Sequence, residues 1–520
     1  MADRAGAEQW GNDGLVSVNA FISVALRRKS RSNDRWPWMA GTGDFLTITS
    51  IETREAGLHK ALTRGQAIMI SLGGALGTGI FLSSGFALGY AGPGVLVSYA
   101  IAGLIAVVMV LSLSEMAVMH PTAGSFGAYA ELYLNPWAGF VVRYSYWFAE
   151  VAATGFEAVA AGLYMTWWFP GTPVWLWSIG FAVIVLWVNS RAVTNFGTVE
   201  YWFSWIKVSA IVLFIILGMA HIFGLGNKPV GFHNLYALPG GFFPHGFHGV
   251  WMAVIVGMLS FVGIEVVAVT AGEMADPRKA IPIALRGMAV RLFLFYVLAL
   301  TVVAALIPWN QLSSGSVTVA ESPFVKVLGM SGIPYAAGIM NFVVLSAALS
   351  GMNTNVYLCS RMLFSLSRGG YAPKGLGRLT KAGAPVGAVL LSGVCILTAA
   401  ALSVVTAKAY AYLQGIALFG MITVWIIILL SHLRFRRAHK AADLPVRMPF
   451  FPVMQLVGLG LLVALAVTMG LDKNWNVSWI VGVPLLLLLT AAYFIWQRTD
   501  GGRAATAIAV AARAAVAIEP

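Results

Sequence analysis

The chain contains few charged residues and few cysteines, and each of these two features excludes certain classes of protein. Only 10% of the 520 residues are charged, whereas 59% are hydrophobic. Apolar runs of spanning length recur along most of the chain, which excludes a soluble globule and predicts an all-α polytopic membrane protein. The two cysteines, Cys359 and Cys395, lie in apolar segments and fit neither a disulfide framework nor a metal-binding motif. We therefore expect no metal site and no cofactor.

Catalytic motifs are missing as well. The chain has no nucleotide-binding loop and no nucleophile constellation, so neither ATP-driven transport nor intramembrane catalysis has a basis in its residues. The net charge is +13, but most Lys and Arg lie in short loops between apolar runs, where they report membrane orientation. We expect neither an enzyme nor a nucleic-acid partner.

Twelve segments are apolar and long enough to cross a bilayer. They run over 66–89, 94–119, 137–168, 174–190, 198–223, 249–272, 283–308, 331–366, 386–406, 409–432, 453–471 and 478–497. If the N-terminus is cytoplasmic, most Lys and Arg face the cytoplasm, and the opposite side carries only Lys228, Lys326, Lys408 and Lys473. The positive-inside rule therefore predicts both termini in the cytoplasm. The polar leader, residues 1–60, contains no recognisable cleavable signal peptide and is expected to be disordered.

The first span contains five glycines in the stretch from Ser71 to Gly85 inclusive, although glycine costs roughly 1 kcal/mol against alanine in a helix. At about 1.5 Å per residue, Gly77-Thr78-Gly79 lies roughly 16 Å into a hydrocarbon core of about 30 Å. Unpaired peptide groups at that depth are tolerated only where they line a cavity. A broken helix there would offer N–H groups to an anion and carbonyls to a cation, which suits a zwitterion. The alternative is a helix-packing face of small residues.

The sixth span repeats this feature, with Gly263 and Glu265 inside an apolar helix. Because the two sites are separated by an odd number of spans, the second block enters the membrane in the opposite orientation, as in inverted repeats around a substrate site. The predicted units are the leader at 1–60, a first repeat at 61–223, a second repeat at 224–433, further spans at 434–498 and a cytoplasmic tail at 499–520. The eleventh and twelfth spans are expected to be peripheral or dimer-forming helices, so a homodimer is one expectation.

Short motifs follow one another in a fixed order over roughly residues 60–450. They are Leu62-Thr-Arg-Gly65, the glycine stretch, Ser114-Glu-Met-Ala117, Pro121-Thr-Ala-Gly-Ser-Phe126, Asn195-Phe-Gly-Thr-Val-Glu-Tyr-Trp-Phe203, Ile206-Lys-Val208, Gly263-Ile-Glu265, Ala271-Gly-Glu273, Asp276-Pro-Arg-Lys-Ala-Ile-Pro282, Ser360-Arg-Met-Leu-Phe364 and Tyr371-Ala-Pro-Lys374. With this order, the chain resembles the amino acid permeases of the amino acid/polyamine/organocation (APC) superfamily, in its bacterial amino acid transporter branch. The resemblance implies the LeuT-like (APC) fold, a five-plus-five inverted repeat with discontinuous first and sixth helices.

The resemblance also implies a set of substrate-binding residues. Peptide N–H groups around Gly77, Thr78 and Gly79 would hold the substrate carboxylate. The ammonium would bind the carbonyls of Ala75 and Leu76 in the first helix and of Phe261 and Val262 in the sixth, next to Gly263. The chain has Leu259 where some relatives place an aromatic gate, which leaves Phe261 and Phe81 as candidates for that role.

Three charged residues are predicted deep in the membrane and are candidates for coupling: Lys207, Glu157 and Glu265. The resemblance puts Lys207 where sodium binds in other relatives. Lys207 then either exchanges a proton or is a permanently charged strut, and both readings argue against sodium coupling. Glu265 is the stronger candidate for proton coupling or for ordering the broken helix. Glu157 is expected to help select the substrate side chain or to pair internally.

Three further acids are predicted near the cytoplasmic ends of their spans, namely Glu115, Glu200 and Glu273. There they are expected to be solvated or to form gating ion pairs, with Arg278, Lys279 and Arg361 as partners.

These features predict a secondary transporter of the cell inner (cytoplasmic) membrane. Its expected partners are an amino acid, H⁺ and the lipid bilayer, with proton-coupled, sodium-independent import by alternating access. The alternatives are an amino acid exchanger and a non-transporting amino acid sensor. Which amino acid is carried does not follow from the sequence.

Overall fold

The computed structural model describes residues 76–122, 124–191, 193–225, 228–274, 295–311, 322–330, 334–381, 383–439 and 446–518, together with the single positions 65, 66, 69, 279, 281 and 444. The predicted leader, residues 1–60, lies outside the described residues. Within the described ranges the regular elements are helices and no β-strand occurs, so the all-α prediction is confirmed.

Each of the twelve predicted spans coincides with a helix or a pair of helices in the described residues. In chain order they are Gly79–Ser83 with Ser84–Ala91, Val95–Met119, Pro136–Met165, Val174–Asn189, Val193–Phe223, Gly246–Phe261 with Val266–Val269, Phe295–Leu306, Ala336–Arg368, Val386–Val405, Ala409–Ala438, Val453–Leu471 and Val477–Gln497. We number the spans in this order. Within the part of the chain that the structure describes, seven helical segments are long and apolar enough to cross a membrane by length and composition, and the first of them, Gly79–Met119, combines spans one and two.

The outer surface of the helical bundle is apolar. In the fifth span, Trp202 is 64% exposed and Ile216 is 59% exposed, and in the twelfth span Leu487 and Leu488 are 66% and 67% exposed. An apolar surface on this scale is stable against lipid rather than against water. The described spans therefore form a polytopic membrane protein.

The third span is the centre of the bundle, because it packs along the eighth and tenth spans. Small residues bring these helices close together. A Cβ atom built on Gly420 of the tenth span would lie 2.7 Å from Ala149 Cβ of the third span, and one on Gly155 of the third span would lie 2.7 Å from Ala399 Cβ of the ninth span. The sixth span packs against the first and second spans. This arrangement brings residues of the third and eighth spans next to the glycine-rich part of the first.

Three further α-helices lie outside the spans in the described residues: Ser125–Tyr133, Pro323–Gly329 and Asp500–Ile518. The first is tied to the bundle by Arg143 of the third span, whose guanidinium donates to Glu131 at 2.8 Å. The last lies in the predicted cytoplasmic tail and packs against the end of the twelfth span and the helix Ser125–Tyr133, so several of its alanines are buried.

Candidate functional site

The first span is irregular at the glycine-rich stretch. Leu76 and Gly77 are not helical, and the helix that follows opens with a π-helical turn over Gly79–Ser83. A π turn widens the helix and leaves its peptide groups less regularly paired than an α turn does. Ala75, predicted as an ammonium ligand, lies outside the described residues.

The sixth span is interrupted at the predicted position. Its first helix ends at Phe261, Val262 is extended with φ −62° and ψ 138°, and residues 262–265 form a turn before the helix resumes at Val266. Gly263 has a φ of +98°, a conformation that side chains with a Cβ rarely adopt. Glycine at this position therefore permits the interruption.

The two irregular segments lie against each other through their backbones. A Cβ atom built on Gly79 would lie 2.7 Å from the carbonyl oxygen of Leu259 and 2.8 Å from Ser260 Cα. Only glycine fits this contact between the first and sixth spans without a shift. Gly77 and Val262 are partly exposed, whereas their neighbours Leu76, Thr78, Phe261 and Gly263 are buried.

A buried glutamate accepts a hydrogen bond from each irregular segment. The Thr78 N–H donates to Glu157 Oε1 at 3.3 Å, and the Gly263 N–H donates to Glu265 Oε1 at 3.2 Å. Tyr146 of the third span also donates to Glu265 Oε1, at 3.1 Å. The second carboxylate oxygen of each glutamate is buried and has no hydrogen-bond partner among the described residues. The structure thus brings both predicted coupling acids to the two interruptions.

Glu157 lies in a space that two glycines leave open. Cβ atoms on Gly77 and Gly351 would lie 2.9 and 3.0 Å from its Oε1. These glycines belong to the first and eighth spans, so the carboxylate of the third span sits between two other helices. Any side chain larger than glycine at either position would displace it.

Lys207 is fully buried and belongs to a polar network between the fifth and eighth spans. Its Nζ donates to Ser350 Oγ at 2.7 Å and lies 3.6 Å from Glu200 Oε1. Ser350 Oγ donates to the same Glu200 oxygen at 2.5 Å, and Asn353 approaches the other oxygen at 3.4 Å. Lys207 also interacts electrostatically with Glu157. The network therefore connects the predicted lysine to the first interruption.

The predicted solvated role of Glu200 is wrong. Glu200 is fully buried, because the fifth span begins at Val193 and continues beyond Lys207 as one helix. Two residues seven positions apart share a helix face, so Glu200 points toward Lys207 rather than toward the cytoplasmic loops. The spacing of seven residues between Glu200 and Lys207 could have indicated from the sequence that both side chains lie on the same helix face.

The other two predicted cytoplasmic acids are buried ion-pair partners and are not solvated. Glu273 receives a hydrogen bond from Arg361 Nε at 2.7 Å, as one of the expected gating pairs. Glu115 instead pairs with His432 and Arg436 of the tenth span, at 2.8 and 2.9 Å. The second pairing was missed because its partners lie more than three hundred residues away in the sequence.

Aromatic side chains surround both gate candidates. Phe261 packs edge-on against Tyr296, with ring centroids 4.9 Å apart. Phe81 packs edge-on against Phe324 at 5.1 Å, and its carbonyl accepts a hydrogen bond from Ser322. Both phenylalanines are buried, and which of them gates the site stays a prediction.

Sequence reasoning missed one buried acid next to the site, Glu150. It lies on the same face of the third span as Tyr146, one helical turn away, and two turns from Glu157. It is fully buried and interacts electrostatically with both Glu265 and Glu157. The spacing of four and seven residues along the third span could have identified this polar face.

Comparison with known proteins decides the family. A sequence model described as Amino acid permease matches residues 66–501. The chain belongs to the amino acid permease family. Among its relatives in Bacillus subtilis (strain 168), the permease is 41% identical over 444 residues to the uncharacterized amino acid permease YtnA, covering 84% of this chain and 95% of YtnA. It is 37% identical over 454 residues to the amino-acid permease RocC, covering 84% and 94% of the two chains. It is 38% identical over 422 residues to the gamma-aminobutyric acid permease, covering 79% and 89%.

The family membership confirms the resemblance drawn from the motifs. The permease is a multi-pass protein of the cell membrane with the APC fold, and it transports an amino acid. Permeases move their substrates without chemical conversion, so the chain is a transporter and not an enzyme.

Proposed function

We propose that the permease imports its amino acid by proton-coupled, sodium-independent alternating access, with the substrate held at the two irregular segments. The observation that carries this proposal is the interruption of the sixth span at 262–265 beside the irregular turn at 76–79. Two interruptions that touch through their backbones present peptide N–H groups and carbonyls to one small space.

The dipoles of the half-helices orient the substrate. Its carboxylate binds the N–H groups of Gly77, Thr78 and Gly79, where a helix begins and positive partial charge accumulates. Its ammonium binds carbonyls at the end of the outer half of the sixth span, at Phe261 and Val262. In the first span the corresponding carbonyls are those of Ala75 and Leu76, and Gly263 provides the backbone conformation that opens this end of the site.

Competition for one peptide group supports proton coupling. Glu157 already accepts a hydrogen bond from the Thr78 N–H. Two carboxylates repel each other, so an ionised Glu157 and a substrate carboxylate do not share this donor. Protonation of Glu157 removes its charge and frees the N–H for the substrate. Binding of a proton and of an amino acid are thereby linked at Thr78.

A fixed internal cation supports sodium independence. Lys207 is fully buried and is held by Glu200 and Ser350, so its charge is compensated within the protein. In our proposal the positive charge of Lys207 takes the place of a bound sodium ion between the helices. Lys207 stays protonated and has a structural role. Proton release and uptake are assigned to Glu157, and Glu265 is assigned to ordering the second interruption through its hydrogen bond from the Gly263 N–H.

The internal organisation of the permease follows from the same proposal. Residues 61–223 and 224–433 form the two inverted repeats, and 434–498 contribute the eleventh and twelfth spans. Both termini face the cytoplasm, and the outward-facing surface of the last two spans is where a homodimer would form.

Transport in proteoliposomes tests the function directly. Purified permease is reconstituted, and uptake of radiolabelled amino acids, gamma-aminobutyric acid included, is followed with an acidic exterior. We expect accumulation that a protonophore abolishes and that replacing Na⁺ by choline leaves unchanged. Counterflow without gradient-driven accumulation would identify an exchanger instead. Absence of uptake and of counterflow for every amino acid would overturn transport at this site.

A further inference from the structure

The third, sixth and eighth spans place a second acidic pair beside the proposed backbone site. Tyr146 donates to Glu265 at 3.1 Å, and Glu150 lies one helical turn from Tyr146 on the same face of the third span. Asn355 of the eighth span, with its amide nitrogen turned toward them, donates to Glu150 Oε2 at 3.0 Å and to the Gly351 carbonyl at 3.1 Å. Gly351 in turn borders Glu157. Glu150 is therefore connected to both interruptions.

The hydrogen-bond partners of these carboxyl groups are donors. Glu265 accepts from Tyr146 and from the Gly263 N–H, and Glu150 accepts from Asn355. Donors suit an ionised carboxylate, whereas a protonated carboxyl group also requires an acceptor for its own hydrogen. Each of the two residues is fully buried and keeps one oxygen, Glu150 Oε1 and Glu265 Oε2, without a partner among the described residues.

The buried cations nearby are engaged elsewhere. Lys207 pairs with Glu200, Arg143 with Glu131, and Arg361 with Glu273. Among the described residues, no Lys, Arg or His forms an ion pair with Glu150 or Glu265. Unpaired carboxylates at membrane depth are costly, so a positive group brought by the substrate would stabilise the ionised form of this pair.

We propose that the amino acid carried by the permease has a basic side chain, and that Glu150 and Glu265 bind its positive charge. This inference rests on the proposed function, because it assigns the side-chain end of the same site. A neutral amino acid is a zwitterion and brings no net charge, whereas a basic one brings a positive group in addition to its main-chain charges.

The dimensions of the third span agree with this assignment. Glu150 and Glu157 are seven residues apart, which is about 10 Å along the helix axis. When the substrate carboxylate binds at Thr78 beside Glu157, a long side chain directed along the third span extends toward Glu150. Lysine, ornithine and arginine have side chains of this kind, and their ammonium or guanidinium groups match the free carboxylate oxygens.

Uptake by wild-type permease in proteoliposomes provides the first test. Radiolabelled lysine and radiolabelled leucine are compared as substrates, and unlabelled lysine, ornithine and arginine are compared as competitors with their neutral counterparts norleucine and citrulline. We expect lysine uptake at least about tenfold more efficient than leucine uptake, since one charged hydrogen-bonded pair accounts for that factor. Equal competition by norleucine and citrulline would overturn the inference.

Substitution of Glu150 provides the second test. Glu150→Gln should raise the half-saturation constant for lysine at least about tenfold while leaving that for a residual neutral substrate within about twofold. Glu150→Asp keeps the charge and should retain a preference for lysine over norleucine. Asp500→Asn, which removes an exposed carboxylate in the C-terminal helix, is the matched control and should behave as wild type. An unchanged lysine constant in Glu150→Gln contradicts the assignment.

The two proposals fail in different ways. Leucine accumulation without recognition of lysine, ornithine or arginine would refute only the basic side chain. Absence of transport and of counterflow for every amino acid in the full panel would refute the transport mechanism itself.

Discussion

Glu157 and Glu265 each accept a hydrogen bond from a peptide N–H at one of the two interruptions. The Thr78 N–H of the first span donates to Glu157 at 3.3 Å, and the Gly263 N–H of the sixth span donates to Glu265 at 3.2 Å. The proposed competition at Thr78 makes Glu157 the residue at which proton binding and substrate binding meet. Glu157→Gln should therefore retain amino acid counterflow but lose accumulation driven by a pH gradient, because glutamine is permanently neutral. Both are measured in the same proteoliposomes. Gradient-driven accumulation at the wild-type level in Glu157→Gln would exclude Glu157 as the coupling acid.

The buried ion pair between Glu200 and Lys207 is expected to stabilise the folded permease. Removing one partner of a buried ion pair leaves the other charge uncompensated and costs about 3–5 kcal/mol. Glu200→Gln should therefore lower the melting temperature of the purified permease strongly. The double variant Glu200→Gln with Lys207→Met removes both charges and should recover much of that loss, as measured by thermal unfolding in detergent. A double variant less stable than Glu200→Gln alone would show that the two charges do not compensate each other.

At the scale of helices, the contact between the first and sixth spans depends on glycine. A Cβ atom on Gly79 would lie 2.7 Å from the Leu259 carbonyl oxygen, and this neighbour is backbone that cannot rotate away. Gly79→Ala should separate the two irregular segments and reduce uptake by more than about tenfold, because overpacking costs about 1–3 kcal/mol and about 1.4 kcal/mol is tenfold in binding. Gly180→Ala in the fourth span, where nothing lies within 4 Å of the added methyl group, is the control and should transport normally. Normal transport by Gly79→Ala would show that this contact is dispensable.

Helices and their interruptions were predictable from the sequence because both depend on local composition. Apolar length marks the spans, and Gly263 marks the interruption of the sixth span, where its φ is +98°. The surroundings of Glu150 and Glu200 were not predictable in this way. Their burial depends on which helices pack together, and Asn355 and Ser350 come from a span more than one hundred residues away. Long-range packing thus decides the electrostatics of the site, whereas local pattern decides where the helices break.

At the scale of the whole molecule, the distribution of basic residues predicts how the permease lies in the membrane. With both termini in the cytoplasm, Lys473 between the last two spans faces outward, whereas Lys374 after the eighth span faces the cytoplasm. Both side chains are exposed, so each position accepts a labelled cysteine without disturbing the core. In a background where Cys359 and Cys395 are replaced by alanine, Lys473→Cys should react with a membrane-impermeant maleimide on intact cells. Lys374→Cys should react only after the cells are permeabilised, and the reverse pattern would invert the proposed orientation and with it the direction assigned to import.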